Sequence, residues 1–168
     1  DYNFIFTLFF TNDTFLSPSY RRPRFETNLS VPAKHSRRPL TAGNAFFNIN
    51  RQWFGERTEG IEHTVSKLKE RNLKIMVKPQ IWIRNGTFTG DVSFKTEEDW
   101  KQFEASYAEF ILLYAEISEE LDVELFCIGT ELFNFVSNRL DFWKNLISEV
   151  RKIYSGEITY AENWDKFD

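Results

Sequence analysis

The chain has 168 residues, 42% of them hydrophobic, 27% charged and 17% aromatic (18 Phe, 6 Tyr, 5 Trp), with a formal net charge of −4. That length accommodates one domain with a real core, and the acidic balance argues against nucleic acid as the main partner. The single cysteine, Cys127, excludes an internal disulfide and a multi-cysteine metal site.

His35 and His63 stand far apart with no ligand spacing around them, so neither a metal nor a cofactor is expected. No run of about 18 apolar residues is present, so no membrane span is expected. The aromatic excess has two compatible readings: a core built of large side chains, or flat rings for stacking on sugar faces. The opening Asp1-Tyr2-Asn3 has no initiator Met and no signal pattern, so the chain reads as starting inside something longer, and the compartment stays open.

Asn3 to Phe10, NFIFTLFF, reads as a buried strand from its aromatic and β-branched content. The segment 11–50 reads as a long irregular insertion carrying Pro18, Pro23, Pro32 and Pro39. Its basic cluster, Arg21, Arg22, Arg24, Lys34, Arg37 and Arg38, reads as a solvated surface in preference to a phosphate or nucleic-acid patch, because no periodicity organises it.

Thr58 to Arg71 reads as a helix with Ile61, Val65 and Leu68 on one face and Asn72 as its stop. Lys74 to Ile83, KIMVKPQIWI, is a strand by alternation. Ile75, Val77, Pro79, Ile81 and Ile83 share one face; Met76, Lys78, Gln80 and Trp82 share the other. Polar groups beside a Trp suit a barrel interior near its mouth. Pro79 argues for an edge or a bulge.

Thr96 and Asp99 resemble a capping box with Asp in place of Glu. A long helix follows to about Leu121, with the stripe Trp100, Phe103, Tyr107, Phe110, Tyr114, Ile117 and Leu121. Three heptads of mostly aromatic residues favour a helix packed on a sheet over a coiled coil.

Val123 to Leu132, VELFCIGTEL, is a short buried strand that runs into a carboxylate. Period two puts Glu131 on the Leu125/Cys127 side. A loop is expected next, then a helix from about Arg139 to Tyr154 burying Leu140, Trp143, Ile147, Val150 and Tyr154. Ile158 to Tyr160 begins a further strand, followed by Asn163-Trp164-Asp165.

Strands alternating with helices specify parallel strands with right-handed crossovers. No glycine-rich phosphate loop follows a strand, so a dinucleotide fold has little support. The expected fold is α/β, a partial (β/α)8 TIM barrel in one incomplete domain over 1–168. An acid at the C-terminal end of a barrel strand lies where such barrels do their chemistry. Half a barrel leaves open sheet edges, through which self-association is expected.

The segments RQWFGERTEGIE, LKIMVKPQIWI, EEDWKQF, VELFCIGTEL and ITYAENWD, in that order, resemble glycoside hydrolase family 113. That resemblance implies a β-mannanase-like, retaining (β/α)8 barrel, here covering about strands two to five, with Asn3 to Phe10 as strand two. It implies Glu131 as the general acid/base, and an oligo- or polysaccharide as the substrate. The nucleophile is implied at the end of strand seven, which the chain does not reach, so these residues alone are expected to be inactive. Glu162 falls where the family usually has a small residue, and Phe88 where a Trp is expected. Lys78, Gln80, Trp82, Asn163 and Trp164, at strand ends, are candidates for binding sugar hydroxyls and faces, with Trp53 and Glu56 in the first motif beside them. The alternative implied function is an inactive carbohydrate-binding remnant of such a barrel.

Overall fold

A computed structural model describes residues 2–11, 54–83 and 88–163; residues 2–11, 82 and 83 are described by backbone pairing alone. The described chain forms one four-stranded sheet in the order β1-β2-β3-β4, with β1 at Tyr2–Thr11, β2 at Lys74–Ile83, β3 at Leu125–Thr130 and β4 at Glu157–Ala161. The helices are α1 (Thr58–Lys69), α2 (Glu97–Glu120), α3 (Phe133–Asn138) and α4 (Leu140–Ile153). β2, β3 and β4 are parallel, and each is joined to the next through helix, as parallel strands require.

The first strand departs from expectation. β1 runs antiparallel to β2 over its whole length, from Tyr2 opposite Ile83 to Thr11 opposite Lys74. A second barrel strand would run parallel. An apolar aromatic run encodes burial but no direction, so the pattern of Asn3 to Phe10 fits either ladder. The long segment 12–53 lies outside the described residues, with its basic cluster and Trp53.

β2 has the expected limits, and Ile75, Val77, Pro79 and Ile81 are buried along one face. Its ladder with β3 pairs Met76 with Leu125 and Val77 with Phe126, ending before the proline, which has no N–H to give. α1 stops near Asn72, whose φ of 55° is the left-handed conformation that Asn tolerates better than most residues.

The N-terminus of α2 has half of the expected box. The Thr96 hydroxyl accepts from the Asp99 N–H at 3.1 Å, but the Asp99 carboxylate bonds that same hydroxyl at 2.7 Å and not the Thr96 N–H. Asp is one methylene shorter than the Glu that completes such a box.

Trp100, Phe103, Tyr107, Phe110, Tyr114 and Ile117 of α2 are all buried, and α2 packs on α4 and on the sheet. The expected loop after Glu131 contains α3, whose Phe135 is fully buried. Its ring lies 4.9 Å from Phe103, 5.4 Å from Tyr107, 5.0 Å from Phe142 and 5.2 Å from Trp143. Part of the aromatic content thus lies in the layer between α2, α3 and α4.

The buried face of α4 is Trp143, Leu146 and Val150, continued by Tyr154. Leu140 and Ile147, expected inside, are 56% and 41% exposed. The chain breaks at Arg139 (φ −132°), between α3 and α4, so Leu140 stands in the exposed first turn of α4, and Leu146 takes the inward place beside Trp143 and Val150. Arg139 ties that break to α2. Its guanidinium donates to both Glu97 carboxylate oxygens at 2.9 and 2.7 Å, donates to Glu104, and sits 5.5 Å from the Trp100 ring.

Candidate functional site at the C-terminal end of the sheet

β3 delivers a carboxylate at its C-terminal end. Phe126 to Thr130 are buried in succession, as in a strand covered on both faces. Glu131 then takes φ 52°, a left-handed conformation that costs an L residue roughly 1–2 kcal/mol. Backbone strain of this kind clusters at functional sites, where surrounding contacts enforce it.

Those contacts are explicit. The Glu131 N–H donates to the Ala161 carbonyl of β4 at 2.8 Å. The Glu131 carbonyl accepts from the Thr89 hydroxyl at 3.2 Å, from the turn after β2. The next N–H, that of Leu132, donates to the Tyr160 hydroxyl at 2.7 Å. The β3–β4 register also shifts between Cys127 and Thr130. Simple alternation therefore does not run through to Glu131, and its direction is set by this bulge and the left-handed turn.

Gly129 belongs to the same device. A Cβ there would stand 2.7 Å from the Tyr160 ring and 2.8 Å from the Trp143 ring. Only glycine lets β3 pass this close to both rings.

Lys78 lies on the neighbouring strand and is only 9% exposed. Burial lowers its ammonium from the ordinary lysine range, and the Cys127 and Glu131 groups act weakly in the opposite direction. Burial also pushes the Cys127 thiol up, consistent with a core residue. Gln80 is half-buried further along β2.

At the end of β4, Glu162 and Asn163 are half-buried. The Tyr160 hydroxyl donates to one Glu162 carboxylate oxygen at 3.1 Å, and the Asn163 N–H donates to the other at 2.9 Å. Glu131 thus follows the end of β3, and Glu162 and Asn163 follow the end of β4, while Lys78 sits mid-way along β2 within electrostatic range of Cys127 and Glu131, and Gln80 two residues further on. Trp82 is set in β2 by its pairing with Asn3, and Glu56 lies in a short 3-10 turn at Phe54–Glu56. Trp53 and Trp164 lie outside the described residues.

Sequence reasoning missed two residues at this end of the sheet, Tyr160 as a partner of Leu132 and Phe133. Phe133 opens α3 two residues after Glu131 and is 43% exposed, and Phe88, before the Thr89–Asp91 turn, is 45% exposed. Aromatic rings left exposed around a carboxylate are the available signal for Phe133. Nothing in the linear sequence pairs Tyr160 with Leu132. Among the described residues, no three His, Cys, Asp or Glu side chains cluster as a metal site, and no helix is long and apolar enough to cross a membrane.

Three parallel strands in chain order, β2-β3-β4, joined through helices and with an acid at the C-terminal end of the middle one, are the α/β arrangement of a (β/α) barrel segment. The model of Glycoside Hydrolase Family 113 matches residues 51–168, more than half of the chain, and the chain belongs to that family.

Among solved structures, the chain is similar to the GH113 beta-mannanase AaManA from Alicyclobacillus acidocaldarius in complex with ManMIm. Identity is 27% and the TM-score 0.63, over 66% of this chain and 36% of that one. A second relative, a GH113 beta-1,4-mannanase solved as a complex, is 30% identical with a TM-score of 0.58, over 65% of this chain and 37% of that one. The chain therefore spans about a third of the length of these mannanases. No curated protein matches. β1 precedes the family match, which begins at residue 51, so its antiparallel course falls outside the matched region.

Proposed function

We propose that this chain carries the acid/base half of a retaining glycoside hydrolase site acting on β-mannan or a related β-glycan, with Glu131 as the acid/base. The observation that supports it is the setting of Glu131: a half-buried carboxylate at the C-terminal end of a central parallel strand, its backbone held on both sides in a left-handed turn.

Retaining hydrolysis uses two carboxyl groups about 5 Å apart. One attacks the anomeric carbon. The other protonates the departing oxygen and later takes a proton from water. Glu131 fills the second role. In this reading the attacking carboxylate comes from a later barrel strand, and the chain spans about a third of the length of its mannanase relatives.

Lys78, Gln80 and Asn163 are the polar groups that bind sugar hydroxyls, with Trp82, Trp164 and Trp53 as stacking surfaces. Segment 11–50 is an insertion in this one incomplete barrel domain.

The test compares the full natural gene product with the 168-residue polypeptide. With β-mannan as substrate, Glu131→Gln in the full product is expected to lower kcat by roughly 10²–10⁴-fold, the usual contribution of a general acid/base. The 168-residue polypeptide is expected to bind mannooligosaccharide without hydrolysing it. Hydrolysis by that polypeptide would overturn the half-site assignment. Binding that is unaffected by Glu131→Gln, with no turnover in either form, would leave the carbohydrate-binding remnant as the correct description.

A further inference from the structure

Three backbone groups around Glu131 are held, and the partner of one is itself held by a second carboxylate. The Glu131 N–H reaches the Ala161 carbonyl (2.8 Å), the Glu131 carbonyl receives the Thr89 hydroxyl (3.2 Å), and the Leu132 N–H reaches the Tyr160 hydroxyl (2.7 Å). The first is a main-chain contact to β4, and the second is a side-chain hydroxyl from the turn after β2. The third is a side-chain hydroxyl from β4 placed under the residue that follows the acid.

A tyrosine hydroxyl has one proton to donate and lone pairs to accept with. Here it accepts from Leu132 and donates to Glu162 at 3.1 Å. Glu162 is in turn oriented by the Asn163 N–H at 2.9 Å on its other oxygen. The Tyr160 ring is fixed edge-on to Trp143, with centroids 5.6 Å apart, in the space that Gly129 leaves open. Burial first, and then the Glu162 carboxylate, hold the phenol well above its ordinary range, while the Leu132 N–H opposes them; the hydroxyl stays protonated and able to donate.

We infer that Tyr160 and Glu162 are positioning residues for Glu131: Tyr160 pins the Leu132 N–H, Glu162 pins Tyr160, and together they hold the left-handed turn that aims the Glu131 carboxylate. The inference rests on the acid/base reading of Glu131. The need for such a clamp follows from the strain: an L residue at φ 52° relaxes toward negative φ unless its neighbours are fixed. Small errors in placement are costly in a proton-transfer step.

The experiment uses Tyr160→Phe, Glu162→Ala and Glu162→Gln, with Glu131→Gln as reference. Tyr160→Phe keeps the ring against Trp143 and removes only the hydroxyl. Amide hydrogen exchange at Leu132 in the 168-residue polypeptide is expected to quicken by about 10-fold or more in Tyr160→Phe, because a buried N–H loses its acceptor. Glu162→Ala is expected to produce a smaller rise. Glu162→Gln, which keeps an acceptor oxygen, is expected to produce the least.

In the full natural gene product, with mannan as substrate, Tyr160→Phe is expected to lower kcat roughly 10-fold with KM held within about twofold, the signature of misplaced chemistry. Unchanged Leu132 exchange in Tyr160→Phe would overturn the clamp. Faster exchange with wild-type kcat and KM, while Glu131→Gln abolishes turnover, would reduce Tyr160 to a structural role and overturn its positioning role. If Glu131→Gln leaves turnover intact, the acid/base reading fails by itself and this inference goes with it. Should Tyr160→Phe not fold, Glu162→Ala carries the same two readouts with the tyrosine in place.

Discussion

The helical layer and the C-terminal rim of the sheet are built on opposite terms. Between α2, α3 and α4, Phe135 meets Trp100, Phe103, Tyr107, Phe142 and Trp143 in a layer of aromatic rings. Tyr107 sends its hydroxyl to the Ile128 carbonyl at 2.8 Å, and Tyr154 sends its own to Val123 at 2.7 Å, so these buried polar ends are satisfied. At the rim, Glu131 stands at positive φ, and mid-way along β2 Lys78 keeps an amine in a buried position. The first region gains stability from its ring contacts, although the buried indole N–H of Trp143 has no partner. The second spends some of it to hold charged groups in a defined place, and that asymmetry is what a binding or catalytic rim requires.

The comparison breaks most visibly at Phe135. Phe135→Ala is expected to destabilise the fold by about 3–5 kcal/mol, since it empties the centre of the aromatic layer. Chemical denaturation should show the midpoint falling with little change of slope. A loss well under 1 kcal/mol would mean that the layer collapses onto the gap and does not depend on this ring.

At the rim the sign is expected to reverse. Glu131→Gly removes a side chain from a left-handed position and is expected to stabilise by up to about 1 kcal/mol. The same change should abolish turnover in the full natural gene product. Asn72, at φ 55° after α1, is the control: Asn72→Gly should stabilise in the same direction with no effect on turnover. Parallel denaturation curves and mannan assays on the two variants separate ordinary turn strain from strain placed under a functional group.

The sequence carried α2 well, but missed α3, where a loop was expected and where the central ring of the layer, Phe135, lies; the rim was legible only in part. Period in the stripe from Trp100 to Ile117 reports burial directly, because a helix face is set by spacing alone. The limits of β2 followed from its alternation in the same way. Leu140 and Ile147 misled because apolar spacing at i, i+3, i+4 and i+7 also fits the neighbouring stripe Trp143, Leu146 and Val150, and only tertiary packing selects that stripe. The direction of β1 was invisible because apolar runs have none. Glu131 was legible as an acid at a strand end, yet its orientation rests on a register shift and on a hydroxyl 28 residues away, which no local pattern encodes.

Lys78 offers a finer cut of the same contrast. Its depressed ammonium means that burial opposes the charged form. Between the lowered folded value and the higher unfolded one, the unfolded chain binds more protons, so stability rises with pH across that alkaline window. Replacing the amine with an apolar chain of similar length removes that burden. Lys78→Met is expected to raise the melting temperature at neutral pH by roughly a few degrees and to weaken mannooligosaccharide binding. Calorimetry beside a binding titration checks both. A lower melting temperature would show that the amine's own contacts outweigh its burial.

The smallest effect is expected at the ion pair that anchors the helical layer. Glu97 is held below the ordinary carboxylate value, first by its hydrogen bonds to Arg139. A lowered carboxylate contributes stability that is fully present above its unfolded value, about 4.3, and is lost as pH falls through the folded value below that. The Glu97 carboxylate is exposed, and pairs of that kind contribute little at neutral pH and less in salt. Glu97→Gln should therefore leave the melting temperature nearly unchanged at pH 7. Any effect should be confined to the acid limb of the stability curve, below the ordinary carboxylate value, where the lowered wild-type carboxylate takes up its proton; there the variant's limb should be slightly flatter. Melting curves from pH 3 to 7, at low and high salt, compare the two proteins. An acid limb of equal steepness in both would assign the lock at Arg139 to Glu104 and to the Trp100 face, leaving Glu97 as a solvated charge at the start of α2.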